Sequence, residues 1–157
     1  MTATPDPLAL ESQVCFALTV ASRSIVAAYR PVLDPMGITH PQYLVMLALW
    51  QHGDLNLNAL ARLLHQESST VSPIVKRLET LGLLSRDRAS DDERKIEIRL
   101  TERGQAMKAE ASRVPHEMAD RLGLDHSELT ELHRSMLRLV EATTRASAVA
   151  AQEHGEG

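Results

Sequence analysis

A mainly α-helical fold carrying one small β-hairpin is what this sequence predicts, and three observations predict it. Only 3% of the 157 residues are aromatic, while Leu, Ala, Glu and Arg recur throughout, a composition that favours helices over an all-β sandwich. Apolar residues recur at alternating spacings of three and four in several segments, the period of a helix with one buried face. Lys95 to Leu100, in contrast, alternates Ile96, Ile98 and Leu100 with Lys95, Glu97 and Arg99, as a half-buried strand does. The length and the 43% apolar content suit one domain or one compact two-lobed unit with a real core.

The first seven residues, ending Thr-Pro-Asp-Pro, read as a flexible tail. Val14, Leu18, Ala21, Ile25, Ala28 and Val32 then mark a long helix with a packing seam, fading near Pro31 and Pro35 into Gly37. Thr39-His40-Pro41-Gln42 predicts a helix start with Thr39 as N-cap and Gln42 at the capping-box position. Tyr43 to Trp50 is nearly all apolar, a buried helix ended by His52-Gly53-Asp54. Leu57, Leu60, Leu63 and Leu64 mark a short helix that stops at the polar stretch His65 to Ser69. From Ser69, Val71, Ile74, Val75, Leu78 and Leu81 form one face, closed by Gly82, while Ser69, Ser72, Pro73, Lys76, Arg77 and Thr80 point the other way. Leu83 to Arg88 and Lys95 to Leu100 read as strands joined by a polar turn from Ala89 to Glu93. Thr101-Glu102-Arg103-Gly104 starts a helix expected to continue toward Pro115. Asp125-His126-Ser127-Glu128 caps a last helix bearing Leu129, Leu132, Met136, Leu139 and Thr143, and the tail from Gln152 to Gly157 is expected to fray.

This order predicts a winged helix-turn-helix lobe over residues 37–100, set between helical segments 8–36 and 101–151 whose seams a second copy of the chain would cover. The expectation is a homodimer with terminal dimerisation helices, a residue 1–7 tail and a frayed 152–157 end.

The formal net charge of −4 excludes a uniformly cationic surface, so any nucleic-acid contact is local. Residues 57–100 hold eight basic residues against seven acidic ones, which leaves that span slightly positive on an acidic protein. Ser68, Ser69, Thr70, Ser72, Lys76 and Arg77 are of the types that contact phosphates and base edges from a helix in the major groove. Arg86, Arg88, Arg94 and Lys95 on the hairpin suit a minor groove or phosphates. Double-stranded DNA is therefore the expected partner, although each of these residues alone also fits a solvated face. The single cysteine excludes an intramolecular disulfide and a zinc ribbon, and points to a reducing compartment. Neither a leader pattern nor a long uncharged apolar run is present, so a cytoplasmic location and no membrane are expected.

Asp91-Asp92-Glu93-Arg94-Lys95, followed by Leu100-Thr101-Glu102-Arg103-Gly104, resembles the wing signature of the MarR family of winged-helix repressors, D-x-R followed by LT-x-x-G. The resemblance implies that Ser68 to Arg77 enters the major groove, that Arg94 enters the minor groove, and that the terminal helices form the dimer. Gln13-Val14-Cys15-Phe16-Ala17-Leu18, then Ala21-Ser22-Arg23, Ala28-Tyr29-Arg30-Pro31 and Pro41-Gln42-Tyr43-Leu44, are similar to the organic-hydroperoxide sensors of that family, the OhrR type. That likeness implies that an organic hydroperoxide oxidises Cys15 to a sulfenic acid, that Tyr29 hydrogen-bonds the sulfur, and that oxidation releases the operator. With no second cysteine, derepression then requires a low-molecular-weight thiol or overoxidation. His40 stands where the group usually has a tyrosine, and Thr19 where it often has another aromatic, so His40 either replaces a donor or merely serves the helix start. Within one helix Cys15 and Tyr29 lie about 21 Å apart along the axis, so they can meet only across antiparallel first helices of a dimer.

Other readings stay open at this level. Cys15 is merely structural if the repressor instead releases its operator on binding a small apolar or phenolic ligand, for which Met36, Tyr43, Met46 and Trp50 are candidate lining. The seven histidines include no i,i+4 pair and no HExxH, which disfavours a metal site. A thiol enzyme using Cys15 and His40 would need an oxyanion site that the sequence does not offer. No cofactor and no enzymatic activity are expected.

Overall fold

The computed structural model describes residues 6–88 and 95–155, with side chains as far as residue 149. The polar wing turn from Ala89 to Glu93, and Arg94, lie outside the described residues, as do the first five and the last two. The chain divides into two compact units, one ending at Pro115 and one beginning at His116.

In the first unit, a 3-10 turn at Leu10–Ser12 leads into α1 (Val14–Leu33). The helix runs through Pro31 rather than fading there, because a proline in the last turn forfeits only one N–H bond and its carbonyl clash falls near the end. A second 3-10 turn, Asp34–Met36, closes on Gly37. Helix α2 (His40–His52) starts with the expected capping box: the Gln42 N–H donates to Thr39 Oγ1 at 3.4 Å, and the Thr39 N–H donates to Gln42 Oε1 at 2.9 Å. Asn56 caps α3 (Leu57–Leu63) by accepting the Ala59 N–H at 2.9 Å. Helix α4 (Ser68–Thr80) follows, one residue earlier than the sequence suggests.

Both helices of the helix-turn-helix close in the same way. The Leu83 N–H reaches the Leu78 carbonyl and the Gly82 N–H reaches Glu79, with Gly82 at φ 74°, the left-handed cap that glycine adopts without penalty. After α3, the Gln66 N–H bonds Ala61 and the His65 N–H bonds Arg62, but the left-handed residue is His65 at φ 52°.

Strand β1 (Leu84–Arg88) pairs antiparallel with β2 (Ile96–Leu100), from Leu84 opposite Leu100 to Arg88 opposite Ile96. Leu55 adds a short third edge that the two-strand reading did not include, exchanging backbone hydrogen bonds of 2.7 and 3.2 Å with Ile98. Val32, Leu33, Met46, Leu49, Leu60, Val71, Val75, Leu78, Leu83 and Ile98 are almost wholly buried and form the core that fixes α4 and the hairpin. Each contributes about 1.5–3 kcal/mol relative to exposure.

Helix α5 (Glu102–Ala111) is capped by Thr101, whose hydroxyl accepts the Gly104 N–H at 3.1 Å. It stops at Ala111, short of Pro115. The proline instead sits in the opening turn of α6 (Val114–Leu122), where a missing N–H is harmless, so it marks a start and not a stop.

In the second unit, α7 (His126–Gly155) begins with the expected cap, the Glu128 N–H donating to Asp125 Oδ1 at 2.9 Å and the Asp125 N–H to Glu128 Oε2 at 2.8 Å. Its helix continues past Ala151 to Gly155, beyond the point at which the sequence suggests fraying. Leu132, Leu137 and Val140 are exposed along it. Among the described residues no helix is long and apolar enough to cross a membrane.

Candidate DNA interface and thiol site

Helix α4 divides as its periodicity predicts. Val71, Val75 and Leu78 are buried, while Ser69, Thr70, Pro73, Lys76, Arg77 and Thr80 are exposed and Ser72 is half-buried. Lys76 and Arg77 make no ion pair with a described residue, so both cations are open to an anionic partner. Ser68 is placed differently from its neighbours: its hydroxyl donates to Asn58 Oδ1 at 2.8 Å and ties α3 to the start of α4.

On the hairpin, Arg88 and Lys95 are exposed and make no ion pair with a described residue. Arg86 is engaged. Its Nη2 and Nε lie 2.8 and 2.9 Å from Oε2 of Glu79 on α4. Arg99 is also held, with Nη2 donating to Glu97 Oε2 at 3.0 Å and Nε 3.1 Å from Asp54 Oδ2 without hydrogen-bond alignment.

The C-terminal end of α4 is fastened to α5. The Thr101 hydroxyl donates to the Gly82 carbonyl at 2.7 Å and Arg103 Nη1 to Leu81 at 2.9 Å. A methyl group on Gly104 would collide with the Leu83 carbonyl oxygen, so only glycine permits this approach. Trp50 Nε1 donates to the Gly104 carbonyl at 3.0 Å, which gives the indole a structural post. Met36, Tyr43 and Met46 are likewise buried among core residues.

The thiol lies elsewhere. Cys15 occupies the second position of α1 and is exposed in the single chain. The Thr19 hydroxyl donates to the Cys15 carbonyl at 2.8 Å, so its proton is turned to the backbone. Tyr29, near the other end of α1, is half-buried against α2, with its ring centroid 4.7 Å from that of His40 and 5.9 Å from that of Tyr43. The fold brings Tyr29 and His40, both expected near the thiol, against each other within one chain. It also brings in Tyr43, which the site reading omitted although its three-residue spacing from His40 puts both on one face of α2.

Burial sets the protonation of all three rings. It raises the Tyr29 phenol, raises the Tyr43 phenol with help from the nearby Tyr29 charge, and lowers His40. At neutral pH the cluster is therefore two neutral phenols and a neutral imidazole, each able to donate, with no fixed charge. Beside it lies a cleft of about 150 Å³ lined by Val26, Arg30, Asp34, Ile38, Thr39 and His40. Among the described residues no group of three or more His, Cys, Asp or Glu side chains is placed to hold a metal ion.

The model of the transcriptional regulator SarA/Rot family matches residues 27–111, which span the helix-turn-helix, the hairpin and α5. The organic hydroperoxide resistance transcriptional regulator of Bacillus subtilis is 37% identical over 136 residues, covering 87% of this chain and 92% of its own. The regulator MgrA of Staphylococcus aureus is 31% identical, covering 85% and 91%. Among solved structures, reduced AbfR of Staphylococcus epidermidis bound to DNA superposes with a TM-score of 0.74 at 32% identity, covering 87% of this chain and 93% of its own. The overoxidized form of AbfR, also bound to DNA, gives 0.67 at 30%, covering 85% and 94%. The two-stranded hairpin on a mainly helical frame, the cation-bearing face of α4 and these relatives place the chain in the winged-helix MarR/SarA-type family of DNA-binding transcriptional regulators.

Proposed function

We infer that this protein is a homodimeric repressor that binds a palindromic operator and is released when an organic hydroperoxide oxidises Cys15. The observation that carries the reading is the 37% identity, nearly end to end, to a regulator of organic hydroperoxide resistance, in a chain whose one cysteine is exposed near the start of α1. In an antiparallel dimer of first helices, Cys15 of one protomer meets the Tyr29, His40 and Tyr43 rings of the other. Neutral donors there stabilise a thiolate and the alkoxide leaving from the peroxide.

The chemistry balances in two steps. The thiolate attacks the distal peroxide oxygen, giving a sulfenate and an alcohol, and a low-molecular-weight thiol then condenses with the sulfenic acid to a mixed disulfide and water. The neighbouring AbfR is described as DNA-bound even when overoxidized, which favours the mixed disulfide, and not the over-oxidised acid, as the form that lets go. The operator face comprises Ser69, Thr70, Ser72, Lys76 and Arg77 of α4, and the family resemblance assigns Arg94 to the minor groove.

The test is operator affinity of wild type and Cys15→Ser, first reduced, then with stoichiometric cumene hydroperoxide and free cysteine, then with excess dithiothreitol. Wild type is expected to bind, release and rebind, and Cys15→Ser to stay bound throughout. Two proteins that both stay bound after peroxide would leave Cys15 a packing residue.

A further inference from the structure

Arg86 belongs to the wing by sequence, yet its guanidinium is turned away from the hairpin and onto the recognition helix. Nη2 and Nε both lie on Glu79 Oε2, at 2.8 and 2.9 Å. Both side chains are a little over one-third exposed, so the pair sits at the protein surface, between α4 and β1. Three features make it more than a chance surface contact.

Glu79 lies in the last turn of α4, where the partial negative charge of the helix end disfavours a carboxylate, so its presence there calls for a cation. Packing beneath the pair is incomplete. A cleft of about 150 Å³ opens between Leu57, Ser72, Val75, Ile96 and Ile98, with Arg86 on its rim, and Ile96 is 58% exposed. Apolar contact therefore does not by itself fix the hairpin against α4 at this end. Finally, Arg88 and Lys95, further along the hairpin, are exposed and pair with no described residue, whereas Arg86 is engaged by α4.

We propose that Arg86 is a positioning residue: by clamping Glu79 it fixes the angle between wing and recognition helix, so that both grooves of one half-site are engaged together, and it does not itself contact DNA. The inference rests on the DNA-binding reading but not on the redox one, because it concerns the reduced protein alone.

The experiment measures binding of reduced wild type, Arg86→Met, Glu79→Gln and the double variant to a duplex selected by the wild-type protein from random-sequence DNA, over a range of salt. The wild-type arm tests DNA binding by itself, and the variant arms test the clamp. Each single variant is expected to weaken binding about fivefold, with the double variant no weaker than either, because the two residues act as one unit. The slope of log affinity against log salt is expected to stay at the wild-type value, since no phosphate contact is lost. Thermal midpoints should match wild type, which separates positioning from a loss of folding. A Glu79→Gln variant that binds more tightly, beside an Arg86→Met variant whose slope drops by about one, would make Arg86 a phosphate contact and overturn the proposal. Unchanged affinity in both single variants would overturn it too.

Discussion

Cys15 is chemically useful only through what surrounds it, and within one chain the Thr19 hydroxyl, one turn along α1, is spent on the Cys15 carbonyl. In the proposed dimer the donors are the Tyr29, His40 and Tyr43 rings of the other protomer. His40 is held neutral there by burial, so it supplies an N–H and not a charge. His40→Phe is expected to slow Cys15 oxidation by about tenfold in stopped-flow kinetics, while His40→Gln keeps most of the rate; equal rates in all three proteins would remove His40 from the site. The same burial has a pH signature. Because the folded-state pKa lies below the ordinary value near 6.5, the unfolded chain takes up the proton first, so the stability contribution is intact above about pH 6.5 and lost as pH falls below it. His40→Phe should flatten that part of a urea-midpoint profile. Gly104 makes a separate claim. Its methyl-free approach to the Leu83 carbonyl means that Gly104→Ala should lower stability by about 2 kcal/mol, read as a shift in urea midpoint at fixed protein concentration.

At the scale of elements, the helix-turn-helix carries one suboptimal closure. His65 occupies the left-handed position after α3 that Gly82 fills after α4. His65→Gly is expected to raise stability by up to about 1 kcal/mol by denaturant titration, with no change in DNA affinity; a loss of stability would mean that the imidazole contributes contacts of its own. Helix α4 is tested differently: Lys76→Ala should weaken binding to all sequences and reduce the salt slope by about one, the behaviour of a phosphate contact. Much of this architecture was legible because its signals are local. The Thr39–Gln42 and Asp125–Glu128 boxes and the apolar stripe of α4 each lie within a few residues and appear where the spacing puts them, and β2 forms where its alternation predicts a strand, although Ile96 on its apolar side is exposed. The misses arose where local signals are ambiguous or absent. Pro115 reads equally as an end or a start, and in the structure it sits in the first turn of α6. The Leu55–Ile98 bridge joins segments separated by α3, α4 and β1, and the Glu79–Arg86 pair spans the turn at Gly82; no spacing rule announces either. By residue type alone Arg86 is indistinguishable from Arg88 and Lys95; only the structure shows its pairing with Glu79. Cys15 and Tyr29 were recognisable by residue type and likeness, whereas the apposition of Tyr43 needed the packing of α1 on α2.

For the whole molecule, the terminal helices set the question. Val14, Phe16, Val20 and Val26 on α1, and Leu132, Leu137 and Val140 on α7, leave apolar side chains exposed in a single chain. Isolated exposed hydrophobics are ordinary, but here they recur along two helices, as a surface completed by a second copy does. In the proposed dimer the Cys15 site would be shared between protomers, and a change at α1 would reach both recognition helices, whose spacing must match half-sites about one helical turn apart. A differential stability of a few kcal/mol between two arrangements is enough to shift the dimer from bound to released. The central claim is thus a coupling between one sulfur and DNA release. The measurement that tests it most directly follows both on the same sample: the fraction of Cys15 converted to mixed disulfide, by intact mass, and the fraction of operator released, by fluorescence anisotropy, as cumene hydroperoxide is titrated in the presence of free cysteine. The account predicts that release rises in step with the mixed disulfide and reverses with dithiothreitol. Fully modified Cys15 on protein still bound to its operator, or release before any Cys15 is modified, would contradict it.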